Sequence, residues 1–325
     1  MARKVILDVD TGIDDALALL LALASPELDF LGITCVAGNV TIDQVTRNTL
    51  NVVEIAGRDV PVAVGARKPL MNRLRTATLF HGANGLANIT LPAPALRPID
   101  EPAPAFLTRM VREQPGEITV VAVGPLTNIA LAIIADAGFA ANLAGLIVMG
   151  GTVGQPGNTS GGTEANFSND PEAARGVVES GVPLILVDLG ATTQVTLPMS
   201  RLEPAAERQL SPVGDLALKL LQYYGPMYVS IGYPGPVLHD PLAVGLAAVP
   251  DLATYPEVYL EVETAGRERG ASIGSFSPVT GIIKPVDDHL DTVGVAPRPF
   301  NARLARNIAS ERFLSLFLMR VGLAE

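Results

Sequence analysis

Tryptophan is absent from this 325-residue chain, cysteine occurs once, histidine three times, and lysine only as Lys4, Lys68, Lys219 and Lys284. Each scarcity excludes something. Without tryptophan, no ligand can be sandwiched between indole rings. The lone Cys35 permits no intramolecular disulfide, and inside an apolar run it reads as a small buried residue rather than a nucleophile. Charged residues make up only 17% of the chain, and the net charge is −10. No Lys/Arg-rich run exists, so a surface that tracks nucleic-acid phosphates is not expected. The uncharged stretches 118–135 and 137–163 are broken by Gly, Pro and Asn, whereas a membrane helix needs about 20 mostly apolar residues without such breaks. The N-terminal residues lead directly into a strand-like run, with no basic, apolar and cleavage segments of a secretory signal. The expectation is a soluble, cytoplasmic protein.

What is present is apolar: hydrophobic residues reach 48%, enough for a large core and a buried subunit interface. No linker, internal repeat or low-complexity segment interrupts the chain. Residues 1–325 are therefore expected to form one domain.

The most informative stretch is 4–15. Residues 4–7 are a β-branched apolar run that reads as a buried strand, and 16–24 read as a buried helix of Ala and Leu. Between them stand Asp8, Asp10, Asp14 and Asp15, with Gly12 permitting a sharp turn. The acids thus fall at the carboxyl end of a strand and the first turn of a helix, the edge where open α/β sheets bind ligands. Complementing a helix dipole or capping a turn accounts for one or two acids, not four. Four carboxylates this close must take up protons or be neutralised by a cation, and all-oxygen ligands favour Ca²⁺ or Mg²⁺ over zinc.

Further along, strands are expected at 29–37, 61–65, 118–123, 146–149 and 184–189, and helices at 41–57, 102–112, 129–137 and from Asp170 onward. Residues 66–101 read as irregular. Helices dominate after 200 (202–224, 238–248, 309–322), with a strand pair at 257–264 and 270–276. This alternation predicts an α/β fold: a mostly parallel central sheet with helices on both faces, and a helical flank in the C-terminal half.

Polar residues recur at the predicted strand ends: Asn39, Thr127, Asn128, then Asn158, Glu164 and Asn166 in a Gly-rich loop. His239-Asp240-Pro241 opens a late helix. Carbonyls at a Gly-Pro-broken strand end suit calcium, and Asn and Glu side chains suit sugar hydroxyls. His81 and His239 read equally as loop or helix-end hydrogen-bonding residues and as ligand contacts. His289, beside Asp287, Asp288 and Asp291, reads as a solvated surface residue.

These residues together resemble the inosine–uridine nucleoside hydrolase family. The likeness is carried by Asp8-Val9-Asp10-Thr11-Gly12-Ile13-Asp14-Asp15, Gly38-Asn39, His81-Gly82, Gly124-Pro125-Leu126-Thr127-Asn128, Met149-Gly150-Gly151, Glu164-x-Asn166 and His239-Asp240-Pro241, in that order. The resemblance implies the Rossmann-like fold of that family and calcium held by Asp10, Asp15, the Thr127 carbonyl and Asp240. It implies Asp10 as acceptor of the attacking water's proton and His239 as donor to the departing base. Asp14, Asn39, Asn158, Glu164 and Asn166 are expected to grip the ribose of a ribonucleoside. The resemblance also implies His81 as a second contact to the base and Asp8 as support for the metal ligands from behind. A homodimer or homotetramer is expected.

The sequence departs from the family pattern at Thr11, usually Pro, at Asn84, commonly Asp, and at Ala165, where an aromatic often sits. Losing that aromatic bears on substrate range. Tyr223, Tyr224, Tyr228 and Tyr233 precede His239 and could contact the base.

Two other readings compete. Asp8-x-Asp10 also resembles the opening of haloacid-dehalogenase-type phosphatases, which need Mg²⁺ and a downstream Lys with further acids. Only Lys284 with Asp287 and Asp288 offers these, and Asp14, Asp15 and His239 go unused. A ribose- or nucleoside-binding sensor would share every binding residue; the presence of both Asp10 and His239 favours an enzyme.

Overall fold

The computed structural model describes residues 2–324 except 160, 278 and 282–294. Lys284, Asp287, Asp288, His289 and Asp291 therefore lie outside the described residues. The strands are β1 Arg3–Val9, β2 Leu28–Cys35, β3 Val62–Val64, β4 Ile118–Ala122, β5 Gly145–Met149, β6 Leu184–Val187, β7 Glu257–Val262, β8 Ser272–Ser275, β9 Val279–Gly281, β10 Val295–Arg298 and β11 Ala302–Leu304. The helices are α1 Ile13–Leu23, α2 Ile42–Ile55, α3 Thr78–His81, α4 Ala103–Glu113, α5 Thr127–Ala135, α6 Phe139–Asn142, α7 Ala165–Asn169, α8 Pro171–Val178, α9 Leu189–Thr192, α10 Glu203–Ala206, α11 Pro212–Ser230, α12 His239–Ala248 and α13 Ser310–Arg320.

Nine strands form one sheet in the order β3-β2-β1-β4-β5-β6-β11-β7-β8. The pairs from β3 to β11 are parallel; β7 and β8 are antiparallel additions at the edge. A short β9–β10 ladder stands apart.

Alternation along β1 explains the layers. Val5, Leu7 and Val9 enter one core with α1, α2, α11, α12 and α13; Ile6 enters the other with α4, α5, α6 and α8. Helix α1 is buried along all eleven residues, so it can be apolar on every side, unlike a surface helix. The chain winds from β1 outward through β2 and β3, then returns to place β4 on the other flank of β1. That reversal makes the carboxyl ends of β1 and β4 the switch point where a crevice opens.

The expected helix over 202–224 is broken in the structure. A 3₁₀ turn and α10 end before Glu207, and a new start follows at Ser211-Pro212, where the Ser211 hydroxyl accepts from Gly214 N–H. A Pro at the first helical position preceded by an N-capping Ser begins a helix rather than continuing one. Among the described residues no helix is long and apolar enough to cross a membrane.

Candidate active site

Asp15 is the knot of the loop after β1. Its Oδ1 accepts from Asp10 N–H at 2.9 Å, its Oδ2 from Gly12 N–H at 2.9 Å and from Asn39 Nδ2 at 3.1 Å. Asp10 Oδ2 accepts Asn39 N–H at 2.7 Å. Small residues make this closeness possible. A Cβ on Gly38 would lie 2.0 Å from Asp10 Oδ2, and one on Gly12 2.6 Å from His81 Nδ1. Behind them Asp8 Oδ1 accepts from Thr34 Oγ1 at 2.5 Å and Asn128 Nδ2 at 2.8 Å.

Three carboxylate oxygens here, Asp8 Oδ2, Asp10 Oδ1 and Asp14 Oδ1, are buried with no hydrogen-bond donor. Burial raises every acid of the cluster: Asp8 to about 7, and Asp14 and Asp15 to about 6, the latter helped by the charge of Asp14. Asp10 and Asp240 are pushed well above the usual carboxylate range, by burial first and then by their acidic neighbours. One oxygen each from Asp14, Asp15 and Asp240 lie within 4.8 Å of one another. Oxygens about 2.4 Å from a common calcium ion can be at most about 5 Å apart. The donor set thus fits a hard divalent cation in spacing and chemistry, and such an ion relieves both the repulsion and the unpaired acceptors.

Above the acids lie the imidazoles. His81 Nδ1 accepts Ile13 N–H at 3.0 Å and stands 3.8 Å from Asp14 Oδ1. His239 heads α12, its Nδ1 2.8 Å from Thr192 Oγ1 and its Nε2 2.9 Å from Tyr228 Oη. Burial lowers both to about 4, so both are neutral near pH 7. Tyr224 bridges the two sides, with its ring 5.8 Å from His81 and 5.0 Å, edge-on, from Tyr228; Tyr233 packs edge-on to Tyr228. Of the expected tyrosines, Tyr223 is instead exposed, at 38%.

The Gly-rich loop supplies a third side. Glu164 Oε2 accepts from Gly151 and Phe167 N–H and its Oε1 from Asn166 N–H, which caps α7. Burial lifts Glu164 to about 7 against those donors. Asn166 Nδ2 donates to Val123 O at 2.7 Å, which ties the loop to the end of β4 beside Gly124, whose own Cβ would crowd Asp10. Asn158 is exposed, and its Oδ1 accepts Ala165 N–H within the loop. The Thr127 hydroxyl donates to Asp170 Oδ2 at 2.6 Å, which leaves the backbone carbonyl as what Thr127 offers the site. Asn84 uses its side chain on Leu86, Asn88 and Ile89, as a loop former. Ala165 is exposed.

Sequence reading passed over Thr192 and gave Asn128 no role. Asn128 reaches Asp8, Cys35 O and Ala66 N–H at once. The GPLTN segment flagged Asn128; nothing local distinguished Thr192. Two open clefts of about 490 and 350 Å³ lie at the opposite sheet edge, lined by residues such as Arg3, Glu27, Thr119 and Arg303. Neither is lined by an acid of the cluster, which lies at the other edge.

The family model for the inosine-uridine preferring nucleoside hydrolase matches residues 5–315. A probable uridine nucleosidase 2 of Arabidopsis thaliana is 40% identical over 274 residues, covering 83% of this chain and 85% of the relative. The pyrimidine-specific ribonucleoside hydrolase RihA of Citrobacter koseri is 37% identical over 285 residues, 86% of this chain and 91% of that one. Among solved structures, a plant nucleoside hydrolase, PpNRh1, superposes with a TM-score of 0.89 at 35% identity, covering 99% of both chains.

Proposed function

This chain belongs to the inosine–uridine preferring nucleoside hydrolase family, and from that premise we propose how its own residues hydrolyse the N-glycosidic bond of ribonucleosides. The observation that carries the proposal is the set of partnerless buried carboxylate oxygens around Asp10 and Asp14, beside the Asp14–Asp15–Asp240 cluster. Asp10, Asp15, Asp240 and the Thr127 carbonyl would hold a calcium ion beside that cluster, to which Asp15 and Asp240 belong. A bound ion would polarise the attacking water and lower its pKa.

Asp10 Oδ1, unpaired while Oδ2 takes Asn39 N–H, accepts one proton of that water as its oxygen bonds to the anomeric carbon. The base leaves with the electron pair of the C–N bond and takes a proton from the His239 side, so ribose and free base balance the equation. Asp14 is the most open of the acids, with 13% of its side chain exposed, and it grips ribose hydroxyls with Asn39. Glu164, Asn158 and Asn166 close the sugar side. Their hydrogen bonds strengthen as the sugar acquires oxocarbenium character. Asp8, held by Thr34 and Asn128, braces the loop. His81, Tyr224 and Tyr228 face the base.

The relatives' names make uridine the first substrate to try. Family likeness supports a homodimer or homotetramer as the working state.

Ribose release from inosine, adenosine, guanosine, uridine, cytidine and thymidine, with and without a calcium chelator, tests the scheme. Release from ribonucleosides that stops on chelation and returns with calcium is expected, with thymidine inert for want of a 2′-hydroxyl. Asp10→Ala should lower turnover by at least about 10³-fold, since it removes a metal ligand and the proton acceptor together. Near-wild-type release by that variant would overturn the mechanism. Binding of calcium and ribose with no release from any nucleoside would favour the sensor reading.

A further inference from the structure

His239 is buried between two hydroxyls, and which of its nitrogens carries the proton decides whether a proton faces the base side. The answer lies in the turn below it. Thr192 ends α9, a single turn that follows β6 directly. Its hydroxyl has two acceptors within reach, His239 Nδ1 at 2.8 Å and Leu189 O at 3.5 Å. The carbonyl of Leu189 is already taken by Thr193, through its Oγ1 at 2.6 Å and its N–H at 3.0 Å. With that carbonyl occupied, the arrangement favours the Thr192 hydroxyl donating to Nδ1, which puts the imidazole proton on Nε2, facing Tyr228.

The turn itself is locked. Asp188 is wholly buried and accepts Ala191 N–H through Oδ1 and Val153 N–H through Oδ2. Arg306, from the segment after β11, clamps both carboxylate oxygens, at 2.7 and 3.2 Å. A two-pronged guanidinium–carboxylate contact fixes direction as well as distance. Because Val153 belongs to the Gly-rich loop, the same carboxylate keeps α9 in register with the loop that carries Glu164.

We infer that Thr192, on a turn locked by the Asp188–Arg306 ion pair, is the positioning residue that holds His239 with its proton on Nε2 and thereby sets how readily the base departs. The inference rests on the reading of His239 as proton donor. Thr192 touches no reacting atom, and its effect passes entirely through the imidazole.

The test pairs two substrates with two readouts. Thr192→Val removes the hydroxyl at nearly constant volume; Thr192→Ser restores it. On uridine, Thr192→Val should lower kcat by roughly tenfold to hundredfold, as expected for a misplaced catalytic group, with KM little changed. On 4-nitrophenyl β-D-ribofuranoside, whose leaving group needs no proton, the loss should stay within about threefold. Thr192→Ser should recover uridine turnover. Arg306→Lys, which loses the two-pronged grip, should show the same selective loss in smaller measure. ¹⁵N NMR of the three imidazoles, assigned with His239→Ala, should show His239 as the Nε2–H form in the wild type and a mixture in Thr192→Val.

Equal losses on both substrates, no loss on uridine, or an unchanged tautomer in Thr192→Val would each overturn the inference. Failure of the underlying reading looks different: His239→Ala would then hydrolyse uridine normally, while the NMR comparison still decides whether Thr192 sets the tautomer.

Discussion

At the scale of single residues, the candidate site is a crowding problem solved with glycine and burial. Gly38 is required not for its backbone freedom but because nothing larger fits: its Cβ would sit 2.0 Å from Asp10 Oδ2. Gly38→Ala should therefore displace the Asp10 carboxylate and lower kcat/KM for uridine by about 100-fold or more, with the far-ultraviolet circular dichroism unchanged. A variant with full activity would show that Asp10 does not need the position described. The acids themselves were legible in the sequence because four of them lie within eight residues of one another. Thr192 was not, because its role depends on a competitor, Thr193, occupying Leu189 O.

Among elements, the first turn of α5 ties strand ends together. Asn128, in the first turn of α5, donates to Asp8 at the end of β1 and to Cys35 O at the end of β2, and accepts from Ala66 N–H beyond β3. One buried amide thus ties three neighbouring strand ends to one helix. Asn128→Ala should lower unfolding free energy by about 1–3 kcal/mol, the cost of leaving buried polar groups unpaired. Urea unfolding measures it, and a change under 0.5 kcal/mol, the level of an ordinary surface substitution, would refute the role. The parallel strands were legible from their unbroken apolar runs. The break between α10 and α11 was not read, although Ser211-Pro212 marks it, because the apolar spacing runs through both segments.

For the whole molecule, the cluster of raised carboxylates makes stability depend on pH in an unusual direction. Asp8, Asp14 and Asp15 have native values of about 7, 6 and 6 against an ordinary 3.8. Between those limits the native chain holds more protons than the unfolded one, so its stability falls as pH rises and levels off above about 7. Chelated protein should accordingly melt at a higher temperature near pH 5 than near pH 8. Calcium requires ionised ligands, so it should raise the melting temperature strongly at pH 8 and weakly at pH 5. Scanning calorimetry under the four conditions checks the pattern; equal calcium shifts at both pH values would refute a carboxylate cation site. We also propose that the chain unfolds as one unit, giving a single calorimetric transition.

The sequence by itself determined the α/β class, the parallel sheet and the family, because periodicity and ordered short motifs are local properties that survive without coordinates. It also placed the acids at a strand end, since a strand, a glycine turn and a helix are contiguous. Tertiary structure alone decided what converges. Asp240 and Asp15 are 225 positions apart, yet carboxylate oxygens from the two belong to one cluster within 4.8 Å. The partners of each nitrogen of His239 likewise come from α9 and α11. Hydrogen-bond competition and burial act through space, and only the folded chain brings those groups within reach of one another.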